Sequence, residues 1–311
     1  MVMKRINTKS IHEVHQLFRL DNPKHPFITV VSFGKKESWA LIECFYYVSS
    51  LYSISIKGNC PYTISTYGRN TCDFEECSLI FTKPNQVVEV NKAYKTEDEN
   101  CWTLFFHPDL IRRSQLGRKI YEYSFFDYAL NEALHLSAEE RNTLTNISEQ
   151  IIEECSNQVD RHSETLIISN LELLLNYCTR FYERQFFSRR NLNHGNVSRF
   201  NTFLRDYFKE NMQIESGIPS VEICRQALNM SGKYLSDMLK VETGKSLLQH
   251  IHSFVIDRAK TDLLNSNCSV KEVAFSLGFV YPQHFSNIFK AKTGMSPSEY
   301  RQLHSKGLES V

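Results

Sequence analysis

No run in this 311-residue chain approaches the ~18 to 20 consecutive apolar residues that a membrane-spanning helix needs. Lys4 and Arg5 are followed by INTKSIHEVH, which is not the apolar core of a secretory signal. A cytoplasmic chain with no membrane partner is therefore expected. No Cys-x-x-Cys pair occurs. The nine cysteines, Cys44, Cys60, Cys72, Cys77, Cys101, Cys155, Cys178, Cys224 and Cys268, are scattered and odd in number. Buried, reduced thiols are expected, and Cys72 with Cys77 lacks the second ligand pair that a zinc site requires. No Walker-type loop, GxSxG elbow or HExxH helix is present, so the chemistries those motifs carry are excluded. No metal and no cofactor are expected. Charge of either sign is also short: 36 Lys and Arg stand against 35 Asp and Glu, a net charge of +1. That balance neither announces nor excludes a polyanionic partner. From Val197 onward 14 basic residues meet 11 acidic ones, so what excess there is lies in the C-terminal third.

What is present is a globular composition, 41% hydrophobic and 23% charged, in a chain long enough for two domains. Between Pro26 and Phe106 the runs ITVVSF, FYYVSSLYSISI, YTISTY, CSLIFT, QVVEV and CWTLFF are short and rich in β-branched and aromatic residues. Turn-like segments at Gly34-Lys35-Lys36, Lys57-Gly58-Asn59, Gly68-Arg69-Asn70 and Lys83-Pro84-Asn85 separate them, which predicts a small barrel or sandwich. After His107-Pro108 the pattern turns helical. Asp109 to Leu116 predicts a short helix. Ser137 with Glu140 three residues on is a capping box, and a long helix to about Asn157 should follow. Another is predicted from Ser163 to Phe187. Its apolar residues, among them Leu166, Ile167, Leu171, Leu173, Leu174, Tyr177 and Phe181, exceed a single stripe. Two readings fit: packing against its own domain, or a subunit interface formed with the preceding helix. Polar Ser188 to Asn196, with Gly195, is expected to be a linker. Helical spacing resumes at Val197, Phe200, Leu204, Tyr207 and Phe208.

The C-terminal third repeats itself. Val221, Cys224, Leu228 and Met230 correspond to Val270, Val273, Leu277 and Phe279 at an offset of 49. Leu235, Leu239, Lys240, Thr243 and Gly244 correspond to Phe285, Phe289, Lys290, Thr293 and Gly294 at an offset of 50. Each copy reads as helix, turn and second helix, with the matched apolar residues as its core. Ser231 suits an N-cap, Pro282 a first turn, and Gly244 and Gly294 left-handed C-terminal positions. Helix-turn-helix units place side chains in the major groove of DNA. A helix from Leu247 to Leu264 joins the copies, and two insertions on one face of B-DNA lie about 34 Å apart. His250 and His252 form an HxH on that helix, but i and i+2 point to different faces, so no metal site is expected.

The segment from about Val197 to Leu303 resembles the DNA-binding domain of AraC/XylS-type transcriptional regulators. LNMSGKYLSDMLKVETGKS and DRAKTDLLNSNCSVKEVAFSLGFVYPQHFSNIFKAKTGMSPSEYR, with their spacing, carry the resemblance. More loosely, FEECSLIFTKPNQ and the helices after it resemble the cupin-type sensor barrel of many members. The resemblance implies an α+β chain. Residues 1–187 would form a cupin-like β-barrel with C-terminal helices of its own, which senses and dimerises, and 188–196 a linker. Residues 197–311 would be an all-α domain with two helix-turn-helix motifs joined by a long helix. It implies that Lys233, Ser236 and Asp237 of the first head and Gln283, His284 and Asn287 of the second face base edges. Lys240, Lys290 and Ser231 would meet phosphates. The chemistry agrees: Gln and Asn pair with adenine, Lys donates to guanine, and Asp accepts from cytosine. This sequence departs from the family's pattern at Arg225, where a small alanine is usual, at Val255 and Asp262 in the connecting helix, and at Asp237. Tyr281 at the second N-cap forfeits roughly 1 kcal/mol relative to Ser or Asp.

In the N-terminal half, Phe45, Tyr46, Tyr47, Tyr52, Tyr62 and Tyr67 fit either a cavity lining or plain core. No histidine falls between Pro26 and Phe106, so the barrel lacks the usual metal ligands of cupin enzymes. A cupin-type enzyme with a DNA-binding tail is the weaker alternative. A DNA-repair methyl acceptor is disfavoured because the first 43 residues contain no cysteine. A helical scaffold without a DNA role is a third. The expected protein is a non-enzymatic, sequence-specific regulator, an activator rather than a repressor. Its partners would be double-stranded DNA, RNA polymerase and an unidentified small effector, and it would form a homodimer through helices within 137–187.

Overall fold

In a computed structural model, the described residues are 4–32, 45–57, 77–90, 101–130, 132–157, 160, 162–188, 190–265 and 268–305. They fall into two compact units, Met1–Gln185 and Phe186–Val311.

β-Branched and aromatic residues build two sheets in the first unit. β1 (Lys4–Thr8), β3 (Phe45–Ser49) and β6 (Val87–Val90) form one, in the order β1-β3-β6, with β1 parallel to β3. The other runs β2-β7-β4-β5-β8 and is antiparallel throughout. Its strands are β2 (Ile28–Ser32), β4 (Tyr52–Lys57), β5 (Ser78–Thr82), β7 (Trp102–Phe106) and β8 (Leu134–His135). Every residue of β7 is buried, so the sheet is covered on both faces. On one face Phe105 joins Ile11 and Val14 of α1 (Ile11–Leu17), with Val31 and Leu51. From the other, Trp102 donates through its indole N–H to Thr145 Oγ1 on α4 (Ala138–Ser156) at 3.2 Å. Two expectations change here. The described strands form two sheets and no closed barrel. The run FYYVSSLYSISI is not one strand: at Ser49 the hydroxyl accepts from Leu51 N (3.1 Å), and the chain leaves the first sheet for the second. The run YTISTY, with Tyr62 and Tyr67, lies outside the described residues, as do Cys44, Cys60 and Cys72.

The expected short helix at 109–116 is two pieces, α2 (Pro108–Ile111) and α3 (Gln115–Lys119), because Ser114 caps a new start. The Ser137–Glu140 capping box forms as read, with both reciprocal bonds. Glu140 does more: it receives Arg184 Nε at 3.0 Å and Nη2 at 2.7 Å from α5 (Ser163–Ser188). One turn of α5 also closes the sheet edge. The Gln185 side chain is 1% exposed, accepts from His135 N (2.7 Å) and donates to Ala133 O (3.2 Å). An amide thus pairs with β8 as a neighbouring strand would. Cys101, Cys178 and Cys224 are buried as expected, whereas Cys268 is exposed.

In the second unit the stretch expected as a linker is helical from residue 190, within α6 (Arg190–Lys209). α7 (Met212–Ser216), α8 (Val221–Leu228), α9 (Gly232–Thr243), α10 (Leu247–Asn265), α11 (Val270–Ser276), α12 (Pro282–Thr293) and α13 (Pro297–Ser305) follow. α10 sends Ile251, Val255, Ala259 and Leu263 into the core, and α9, α11, α12 and α13 all pack on it. Arg301 of α13 donates to Leu263 O (2.8 Å), a carbonyl in the last turn of α10, and to Cys268 O (2.7 Å) just before the N-cap of α11.

Candidate nucleic-acid interface

Each repeat folds as helix, turn and helix, with the same positions inside. Cys224 and Leu228 are matched by Val273 and Leu277; Leu235 and Leu239 by Phe285 and Phe289, all buried. Val221 is a correction to the expected core: it opens α8, is 46% exposed, and lies over Gly232 instead. A Cβ on Gly232 would come 2.4 Å from Val221 Cγ1. The turns also correspond. Asn229 (φ 56°) in the first head and Gly278 (φ 88°) in the second are both left-handed. Gly244 (φ 74°) and Gly294 (φ 82°) end α9 and α12 as the C-cap reading requires. Ser231 caps α9 by accepting from Tyr234 N (3.2 Å), while Tyr281 gives α12 no side-chain cap. The preceding helix of each head is capped, α8 by Ser220 and α11 by a full capping box of Ser269 with Glu272.

Tyr234, Leu235, Met238 and Leu239 turn one face of α9 inward. Lys233 and Lys240 stand exposed on the outer side, with Ser236 and Asp237 half-buried between them. Ser236 has a second task, since its hydroxyl accepts from Leu247 N at 3.4 Å at the start of α10. On α12, Phe285 and Phe289 point inward, and Gln283, His284, Asn287 and Lys290 are exposed. The spacing i, i+1, i+4, i+7 keeps those four on one face. The His284 ring forms a T-shaped pair with Phe279, which is buried, ring centroids 5.9 Å apart. Val280 and Tyr281, 74% and 71% exposed, extend this face N-terminally. The sequence marks Tyr281 only as an unfavourable N-cap and does not mark Val280, although an apolar pair directly before the Pro282 helix start is the signal for an exposed contact face.

Arg225 does not enter the first head. Its counterpart at offset 49, Ala274, is fully buried, but Arg225 lies outside and binds Glu222 at 2.6 and 2.8 Å. Hydrogen bonds from Arg225 and then Gln226 hold the Glu222 carboxyl down to about 2. Val255 is buried in α10, and burial pushes the Asp262 carboxyl up against the pull of Arg258. His250 accompanies them: Thr243 Oγ1 donates to Leu239 O, so the 2.6 Å contact with His250 has the ring Nε2–H as donor. No group of three or more metal-type side chains occurs among the described residues.

Burial, then Lys245, lowers the His250 pKa from its ordinary 6.5. Burial, then Lys292 and His284, lowers that of His252 from the same value. As pH falls below 6.5, the unfolded chain takes up these protons before the folded one. Their contribution to stability is therefore complete above that value and is lost through the lower folded values. Denaturant unfolding of this unit is expected to weaken as pH drops below about 6.5, with a shallower slope in the double variant His250→Gln, His252→Gln. Equal slopes in both proteins would refute the assignment.

Residues 225–303 match the family described as a helix-turn-helix domain. The uncharacterized HTH-type transcriptional regulator YijO of Escherichia coli (strain K12) is 34% identical over 104 residues, 33% of this chain and 36% of that protein. YfiF of Bacillus subtilis (strain 168), also described as an uncharacterized HTH-type transcriptional regulator, is 28% identical over 142 residues, 46% and 42% of the two chains. The HTH-type transcriptional activator RhaS of Escherichia fergusonii is 31% identical over 107 residues, 34% and 36%. The chain thus spans less than half the length of these relatives. The C-terminal unit carries a helix-turn-helix domain, and the proteins similar to it are named as regulators of transcription. No helix among the described residues is long and apolar enough to cross a membrane.

Proposed function

We propose that this protein is a sequence-specific DNA-binding transcriptional regulator of the AraC/XylS type. The observation that carries the reading is the duplicated head: two exposed helix faces, on α9 and α12, each backed by a small core and joined by α10. Lys233, Ser236 and Asp237 read one major-groove segment, and Gln283, His284 and Asn287 the next. Lys240, Lys290 and Ser231 hold phosphates. Residues 197–311 are the DNA-binding domain, and 1–187 a cupin-like sensor for a small effector, joined through 188–196. Effector binding shifts the population of DNA-competent chains, and the regulator activates through RNA polymerase. Selection of duplexes from a random-sequence pool by the full chain tests the reading. Enrichment of a bipartite site is expected; recovery of no preferred sequence would sink it.

The helices within 137–187 are proposed to form a homodimer. Leu166 and Leu173 on α5, seven residues apart, are 49% and 44% exposed, and Ile152 on α4 is 38% exposed. The double variant Leu166→Glu, Leu173→Glu is expected to sediment as a monomer at concentrations where the parent is a dimer, with secondary structure retained. A parent that is already monomeric, or a variant that remains dimeric, rejects this interface.

A further inference from the structure

Gly278 and Asn229 occupy the same turn position of the two heads, yet only one is glycine. A left-handed φ does not explain the difference, because Asn229 adopts it at 56°. The surroundings do. A Cβ on Gly278 would lie 2.9 Å from Gln213 O, 2.9 Å from Gly217 C and 3.0 Å from Ile218 N. The segment that precedes the first head therefore lies against the turn of the second, backbone on backbone. Gly217 (φ 73°) faces back, its own Cβ position 3.5 Å from Gly278 O. Tyr207 holds the segment from α6, its hydroxyl donating to Gly217 O at 2.8 Å.

Gln213 fastens this contact. It is 3% exposed and donates through Nε2 to Ser276 O at 3.1 Å, at the end of α11. Its Oε1 has no partner among the described residues. A buried amide with half its capacity unused is a costly way to fill space. Packing alone would be better served by Met or Leu, so the donated bond is what the position supplies.

We infer that the Met212–Gly217 segment is a latch: Gln213 and the Gly217–Gly278 contact clamp the turn of the second head to the first half of the domain, fixing the spacing of the two heads. α10 joins the heads at one place; the latch joins them at a second. Two struts resist rotation where one permits it. The inference rests on the DNA-reading proposal for its consequence, not for the contact itself. Gln213 is a positioning residue and touches no base.

Two variants of the full chain test it. Gln213→Met keeps the volume and removes the bond. Gly278→Asn keeps a residue that tolerates φ > 0 but adds the Cβ. The first measurement needs no DNA: hydrogen exchange by mass spectrometry over 211–218 and 275–280. Both segments are expected to exchange faster in each variant while α9 and α12 are unchanged. Unaltered exchange in Gln213→Met overturns the latch. The second uses the duplex selected by the parent chain and the same duplex with one base pair inserted between its two segments. The preference for the selected spacing is expected to shrink by about three- to tenfold, the worth of one hydrogen bond. Faster exchange with an unchanged preference overturns the spacing role. A parent chain that selects no duplex overturns the DNA-reading proposal and with it the spacing role, leaving hydrogen exchange to judge the contact.

Discussion

Replacing Gln283 and Asn287 together with alanine is expected to cut the preference for the selected duplex by about 30-fold to 10⁴-fold, at ~1 to 3 kcal/mol per bidentate base contact. Both side chains are exposed on α12, so their removal opens no cavity. Alanine is the better helix former, and the fold should be retained. The loss therefore falls on readout. Lys290→Ala is the contrasting control. Its ammonium, seven residues after Gln283, is assigned to phosphate, which carries no sequence information. It should weaken binding to selected and scrambled duplexes alike and lower the salt slope by roughly one. Quantitative binding titrations at several salt concentrations distinguish the two behaviours. If the double variant still separates selected from scrambled duplex as the parent does, the base readers lie elsewhere, and the exposed pair Val280 and Tyr281 is the next place to look.

Phe289→Ala is expected to cost ~3 to 5 kcal/mol of stability, the usual range for emptying a buried aromatic site. Phe289 has no exposure, and its ring lies 5.7 Å from Phe285 and 5.4 Å from Tyr300 of α13. It is thus the contact that seats α12 against the helix behind it. The neighbours are held by α10 and by the Arg301 bonds to Leu263 and Cys268, so collapse into the space is restricted. Urea unfolding followed by far-ultraviolet circular dichroism measures the change. A loss below about 1 kcal/mol would mean that α13 closes the gap and that the second head is more plastic than its packing indicates.

What could be read from the chain alone is what local chemistry determines. The Ser137–Glu140 box, the apolar density of α5 and the terminal glycines 244 and 294 are statements about neighbours within a turn or two, and the folded chain obeys them. The repeat was legible because a duplicated core leaves a duplicated apolar pattern. At the start of the chain Ser10 with Glu13 carries the same S-x-x-E start signal, and Ser10 caps α1. The parallel pairing of β1 with β3 has no local sign, since the partners are about forty residues apart. Val221 was assigned to the core from its place in the repeat, but a first-turn position leaves it facing α9's Gly232 and water. The residues named for DNA contact were legible as types and spacing. The Gln213–Ser276 bond was not, because it joins residues 63 apart; the backbone approach beside it leaves one trace, the Asn-for-Gly difference at the turn.

The amide of Gln185 on β8 also has a consequence in time. The strand it completes ends at His135, and the residue that covers its outer edge is made fifty positions later. At about 5 to 20 residues per second of synthesis, that edge waits roughly 3 to 10 s with its backbone groups unclaimed. During that interval the five-stranded sheet is complete in sequence but open to any extended segment nearby. The nascent chain is most vulnerable to mispairing then, and the arrival of α5 ends it by closing the edge with two adjacent side chains, Gln185 and Arg184, the latter donating to His135 O at 2.7 Å.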